Sequence, residues 1–178
     1  GTAPQSKDST SNANHGTSAG SMTSGDQVAG KIDGSLDFDG SNDEVTRSNA
    51  IVGDSSAYTI SAWIKTSSSG KQTIYTEYNS GSPDRYQFLY ADGGKIKWYS
   101  TDDSTFWSSV LTGTPTVSDG QFHYVTFVQP SKSSRQLFVD GNPDVTTSDT
   151  VGTFNHNAVT IGTWRASSGN NSFWTGIL

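Results

Sequence analysis

From Ser35 to Trp164 the apolar residues of this chain recur at every second position, and no stretch keeps helical periodicity for three turns. The runs are Ser35–Phe38, Tyr58–Lys65, Gln72–Tyr78, Arg85–Tyr90, Lys95–Tyr99, Ser108–Leu111, Phe122–Gln129, Arg135–Val139 and Ala158–Trp164. Period two is the repeat of a strand whose successive side chains leave opposite faces. In Tyr58–Lys65, for example, Tyr58, Ile60, Ala62 and Ile64 share one face and Thr59, Ser61, Trp63 and Lys65 the other. Asp-Gly occurs between or beside these runs at 33–34, 39–40, 92–93, 119–120 and 140–141, and it suits hairpin turns that need a positive φ. Short strands joined this way predict an all-β fold, a two-sheet antiparallel β-sandwich of jelly-roll type.

Residues 1–30 are rich in Ser, Thr, Gly and Asn, so this opening segment reads as loop with one short strand, and the core is expected to begin after Gly30. A hydrophobic content of 31% over 178 residues supports one domain, 1–178. The net charge is −6 and the 11 Lys and Arg are scattered singly, which excludes a basic stripe for nucleic acid. There are no cysteines, hence no disulfides or thiolate metal sites, and no apolar run long enough for membrane insertion as a helix.

The stretch Ser35–Glu44, SLDFDGSNDE, gathers four carboxylates around one glycine. Asp37, Asp39, Ser41 and Asp43 imitate the first half of a helix–loop–helix calcium loop, but Gly40 falls at the fourth position and Ser48 at the twelfth, where that loop needs Gly at the sixth and Glu at the twelfth. The stretch is therefore a hairpin corner or a calcium site of another kind.

In order and spacing, GKIDGSLDFDGSND, YTISAWIKT, DGQFHYVTFV, QLFVDGN and VTIGTW…FWTGIL resemble the laminin-G-like (concanavalin A-like) jelly-roll domains of exported proteins, and KDSTSNANHGT resembles their opening loop. The resemblance implies a secreted, extracellular or cell-surface location and a Ca2+ site at the rim, with Asp39 and Asp43 as the metal candidates. In pentraxin-like relatives the calcium ligands lie elsewhere, and Glu77, Asn79 and Asp84 would match the first part of that set. Because relatives add a strand before the opening loop and an acidic one after FWTGIL, the chain is expected to be excised from a longer protein, with an exposed sheet edge.

A hydrolase of this fold needs two carboxylates opposed across the scissile bond. The chain has only two glutamates, Glu44 and Glu77, neither in such a motif, so no catalytic residues are assigned and the chain is expected not to be an enzyme. His123 is expected to be a packed, hydrogen-bonded strand residue. Sugars are held by rings laid on their C–H faces and by planar polar groups. Three segments mix these groups and supply the carbohydrate-binding candidates: Tyr78, Asn79, Asp84 and Arg85; Trp107; and Trp164, Arg165, Asn170 and Asn171. For Trp107 and Trp164 core packing and ligand contact both stand, whereas Trp98 and Trp174 read as core and Trp63 as structural. The function expected is a carbohydrate-binding or adhesion module whose partner is a polysaccharide or glycan; the alternative is a scaffolding module that pairs another protein chain at the sheet edge.

Overall fold

The computed structural model describes residues 5–101, 108–164 and 171–178. In chain order the strands are β1 Gln5–Ser6, β2 Gly16–Ala19, β3 Gln27–Ala29, β4 Gly34–Asp39, β5 Glu44–Arg47 and β6 Tyr58–Lys65. Next come β7 Gln72–Asn79, β8 Ser82–Asp92, β9 Lys95–Thr101, β10 Ser108–Thr116, β11 Phe122–Ser131 and β12 Ser134–Val139. The last are β13 Asn142–Thr147, β14 Ala158–Ile161, β15 Thr163–Trp164, β16 Ser172–Phe173 and β17 Thr175–Ile177. An eight-stranded sheet, ordered β1-β2-β5-β14-β7-β8-β9-β10, packs on a seven-stranded sheet, ordered β13-β12-β11-β6-β17-β4-β3. All the strand pairs in both are antiparallel, so the all-β sandwich expected from the sequence is the fold.

The Asp-Gly pairs divide into different kinds of turn. Asp140 and Gly141 both have positive φ and form the two-residue turn between β12 and β13, while Gly93 and Gly94 do the same between β8 and β9. Gly34 is instead the first residue of β4, with Asp33 carrying the positive φ. The pairs at 39–40 and 119–120 are corners that carry the chain from one sheet to the other, not hairpins.

The core is the interdigitation of the inward faces. Trp98 of β9 stacks on Phe127 of β11 across the sandwich at 3.7 Å between centroids and 8° between planes. Around them Leu89, Ile96, Ile64, Val125 and Leu137 are fully buried, each such side chain contributing about 1.5–3 kcal/mol by leaving water. Trp174 is also fully buried, in line with its reading as core. Met22 belongs to this cluster, so the core begins before Gly30, contrary to the composition of the opening segment.

Among the described residues one seam of the seven-stranded sheet is paired only in part. On one side β6 pairs with β11 along its whole length, and on the other it meets β17 only at Lys65↔Ile177. Beyond Leu178, whose N–H and C=O both bond Leu36, a slot of about 250 Å³ runs between β4 and β6. Leu36, Ile60, Ala62, Ile161 and Leu178 line it and are only partly buried.

Candidate functional site

The most ring-rich surface is the outward face of β8 and β9, and strand alternation builds it. In β8, Gln87, Leu89 and Ala91 point into the sandwich, which sends Tyr86, Phe88 and Tyr90 out. In β9, Ile96, Trp98 and Ser100 point in, which sends Lys95, Lys97 and Tyr99 out. The register sets Phe88 beside Tyr99, and Tyr90 beside Lys97.

The two-stranded β15–β16 ribbon lies over this face. Thr73 Oγ1 and Ser172 Oγ are 2.6 Å apart, and the Thr76 and Thr160 hydroxyls donate to the Thr163 carbonyl at 3.2 and 2.7 Å. Gly162, with φ +84°, makes the kink that separates β14 from β15. Trp164 is thereby laid parallel to Phe88, at 5.4 Å and 3°, and against Tyr86 at 5.1 Å. Phe88 and Tyr90 are buried beneath, while Tyr86, Tyr99 and Trp164 remain half-buried and form a platform. Tyr86 and Tyr99 stack at 5.5 Å and 26°. Lys71 Nζ sits 4.4 Å from the Trp164 centroid, 5.2 Å from Phe88 and 5.4 Å from Tyr90, within cation–π range of all three. Burial holds the Lys71 amine below its ordinary value; Asp92 works the other way and Lys97 adds to the depression.

Of the sequence candidates, Trp164 is in this platform, both stacked on a buried ring and half-open. Tyr78 is half-buried on the same face, directly across from Tyr86. Asn79 is a turn residue whose Oδ1 accepts from Gly81 N–H at 2.9 Å, and Arg85 alternates to the face opposite Tyr86. Asn171 is exposed beside β16. Trp107, Arg165, Asn170 and the side chain of Asp84 lie outside the described residues. The sequence reading passed over Tyr86, Tyr99 and Lys71 because it searched loops, whereas this platform stands on strands. Its signal was in RYQFLY, where one parity of a strand is all rings, and in KWY, where both parities carry rings.

Asp39 and Asp43 build the corner between the sheets. Asp39 Oδ1 accepts from the N–H groups of Ser41 and Asn42 at 2.7 and 3.3 Å, and Asp43 Oδ2 accepts from Asp39 N–H at 3.1 Å. The Ser21 hydroxyl donates to Asn42 Oδ1 and Asp43 Oδ1, tying the opening segment to the corner. Among the described residues no group of three or more His, Asp or Glu comes together around a metal-sized gap. These bonds give Asp39 and Asp43 a part in the turn.

Glu77 faces inward, which removes it from any rim site: it is fully buried, and Oε1 accepts from Ile51 and Val52 N–H at 2.6 and 2.8 Å and from the Tyr75 hydroxyl at 2.7 Å. Oε2 accepts from Gly53 N–H at 2.9 Å, and His156 Nδ1 stands 3.8 Å away, too far for a hydrogen bond. Glu44 is likewise buried. His123 bridges two turns, its ring nitrogens 2.8 Å from Asp140 and 3.0 Å from Asp119.

A laminin G-type family model, described as the concanavalin A-like lectin/glucanases superfamily, matches residues 39–178. No curated relative matches the chain in sequence. Among solved structures, the carbohydrate-binding module of a Ruminococcus gnavus sialidase bound to α2,3-sialyllactose superposes with a TM-score of 0.60 at 18% identity, over 69% of this chain and 72% of that one. The LG1-3 region of the laminin α2 chain gives 0.62 at 15% identity over 79% of this chain and 29% of that one. The receptor-binding domain of botulinum neurotoxin C/D mosaic serotype gives 0.64 at 15%, over 98% of this chain and 46% of that one. The chain therefore spans well under two thirds of the laminin and toxin structures, and at these identities the likeness shows the fold.

Proposed function

This chain belongs to the concanavalin A-like lectin/glucanases superfamily, and from that premise we propose that it is a non-catalytic carbohydrate-binding module of an extracellular protein. The observation that carries the reading is the half-buried Tyr86–Tyr99–Trp164 platform: rings held rigid by buried rings beneath them offer flat apolar faces to sugar C–H groups at little entropic cost. Tyr hydroxyls at its border supply polar partners. The non-catalytic part is supported by the burial of both glutamates, since Glu77 spends its oxygens on backbone amides. Structural relatives that are themselves a sialidase carbohydrate-binding module or laminin LG domains are consistent with a binding role. A shallow site binds weakly, and repetition in a larger protein would raise its avidity.

The test is affinity electrophoresis through gels cast with neutral and charged polysaccharides, comparing the natural chain with Tyr99→Ala. Retardation by at least one polymer, weakened up to about tenfold in Tyr99→Ala, is expected. Retardation by none would sink the reading.

A second reading is pairing at the slot between β4 and β6 with a strand supplied by another polypeptide or by a further segment of the same protein. There an added strand would gain the free backbone groups of β6 and cover Ile60 and Ala62. A dimer by light scattering that dissociates on dilution, with β6 amides newly protected from hydrogen exchange, would support it.

A further inference from the structure

The platform has one feature that a neutral sugar does not use. Lys71 holds its ammonium over three rings, and among the described residues it makes no ion pair. Lys71 is itself exposed, so its ammonium is open to an incoming anion while it lies against the rings. The carboxylate nearest to it in the strands is already engaged: Asp92 Oδ2 takes Lys97 Nζ at 2.7 Å. Lys95 follows on the same outward face of β9. Among the described side chains this face of β8 and β9, with Lys71 at its border, thus sets three lysines against one carboxylate, in a chain whose net charge is −6. At physiological salt charges more than about 8 Å away are screened, so Lys71 and its near neighbours act on what approaches them despite the overall charge.

We infer that the platform selects acidic glycans, polymers whose sugars carry carboxylate or sulfate groups, with Lys71 meeting the anion while the sugar ring lies on Tyr86, Tyr99 and Trp164. This rests on the glycan-binding reading above. The geometry suits such a ligand because the ammonium and the open ring faces are within one sugar's breadth of each other, Lys71 being in contact with Trp164 itself. An anion delivered there pairs with the exposed ammonium in a charge-assisted contact, whereas a neutral hydroxyl offers only a dipole. Nucleic acid is less suited, because no stripe of basic residues extends from the platform to follow a phosphate backbone.

The experiment is affinity electrophoresis in polygalacturonate and in the same polymer with its carboxylates reduced to hydroxymethyl groups, at 20 mM and 500 mM NaCl, with an oligonucleotide of single-stranded DNA as competitor. The natural chain is expected to bind the acidic polymer at least about tenfold more tightly than the reduced one, and to lose that preference at high salt. Lys71→Gln should remove the preference and keep the weaker binding to the reduced polymer, while Lys71→Arg should keep both. Thermal midpoints of the variants show that they are folded. Equal binding to both polymers, unchanged by Lys71→Gln, would overturn the inference and leave the glycan-binding reading standing. Binding to neither polymer, nor to any in the wider panel, would overturn both. Displacement by the oligonucleotide at lower concentration than by free polygalacturonate would also overturn the inference, in favour of a nucleic-acid ligand.

Discussion

Replacing Glu77 with Gln tests whether this buried carboxylate is the anchor of the 51–53 loop. Gln keeps the volume and one oxygen. If that oxygen stays with Ile51 and Val52, the new NH2 group faces the Gly53 amide and the Gln87 side chain, two groups that now donate to Glu77 Oε2 at 2.9 and 3.4 Å. Two donors lose their acceptor and meet a donor in its place. Hydrogen bonds to a charged partner are worth about 1.5–3 kcal/mol each, and the Gln87 contact is long, so the loss should be about 2–4 kcal/mol. Glu77→Ala strands all three amides and should cost about 3–5 kcal/mol. Urea unfolding at pH 7 measures this as a fall in midpoint at constant m. The pH dependence gives an independent check. Burial alone would push the Glu77 carboxyl up, but His156 beside it, the Tyr75 hydroxyl and the Val52 and Ile51 amides outweigh that and hold it below the ordinary range. A carboxylate depressed in the folded state contributes stability that is complete above its unfolded value, about 4.3, and is lost as pH falls through the folded one. Glu77→Gln cannot titrate, so its stability deficit should shrink between pH 6 and pH 3. A loss under about 1 kcal/mol at pH 7, or a deficit that does not shrink in acid, would refute the reasoning and mean that water replaces the carboxylate at the loop.

Three further outcomes are expected. His123 is buried enough to lower its imidazole, but Asp140 and Asp119 outweigh this and raise it, so its contribution is complete below its unfolded value near 6.5 and is lost as pH rises through the folded one. The thermal midpoint of the natural chain should accordingly fall from pH 6 to pH 9 more than that of His123→Gln. Gly162→Ala would place a Cβ 2.3 Å from the Phe38 ring at φ +84°, and should cost more than about 2 kcal/mol in urea unfolding; a near-neutral result would mean that Phe38 and the β14–β15 kink move freely. Because Asp39 and Asp43 already serve the corner, exchanging millimolar calcium for chelator should leave the midpoint unchanged within about 2 °C, whereas a resident ion at a hundredfold its Kd would move it by roughly 5–10 °C.

By itself the sequence determined the layers. Alternation in Tyr58–Lys65 correctly assigned Tyr58, Ile60, Ala62 and Ile64 to the core side, since a strand's side chains must leave opposite faces and only one face can meet the other sheet. The same rule picked out Ile96 and Trp98 as core. It missed β5, β13 and β17, which are short or polar and exist because a partner strand supplies their hydrogen bonds. It missed Met22 as well, because one apolar residue among Ser, Thr and Gly makes no pattern. The candidate site was legible only in part: Trp164 was named, but its neighbours Phe88, Tyr86 and Lys71 lie 76 to 93 residues earlier in the chain. Only the tertiary structure decided that a two-stranded ribbon folds back on the sheet's outer face and gathers these rings under one ammonium. It also decided that Glu77, a calcium-ligand candidate on the pentraxin-like pattern, faces inward to amides more than twenty residues away. Periodicity is a local consequence of backbone geometry, whereas a site is a set of contacts between segments whose meeting is fixed by sheet order and register, and these are not written in any one segment.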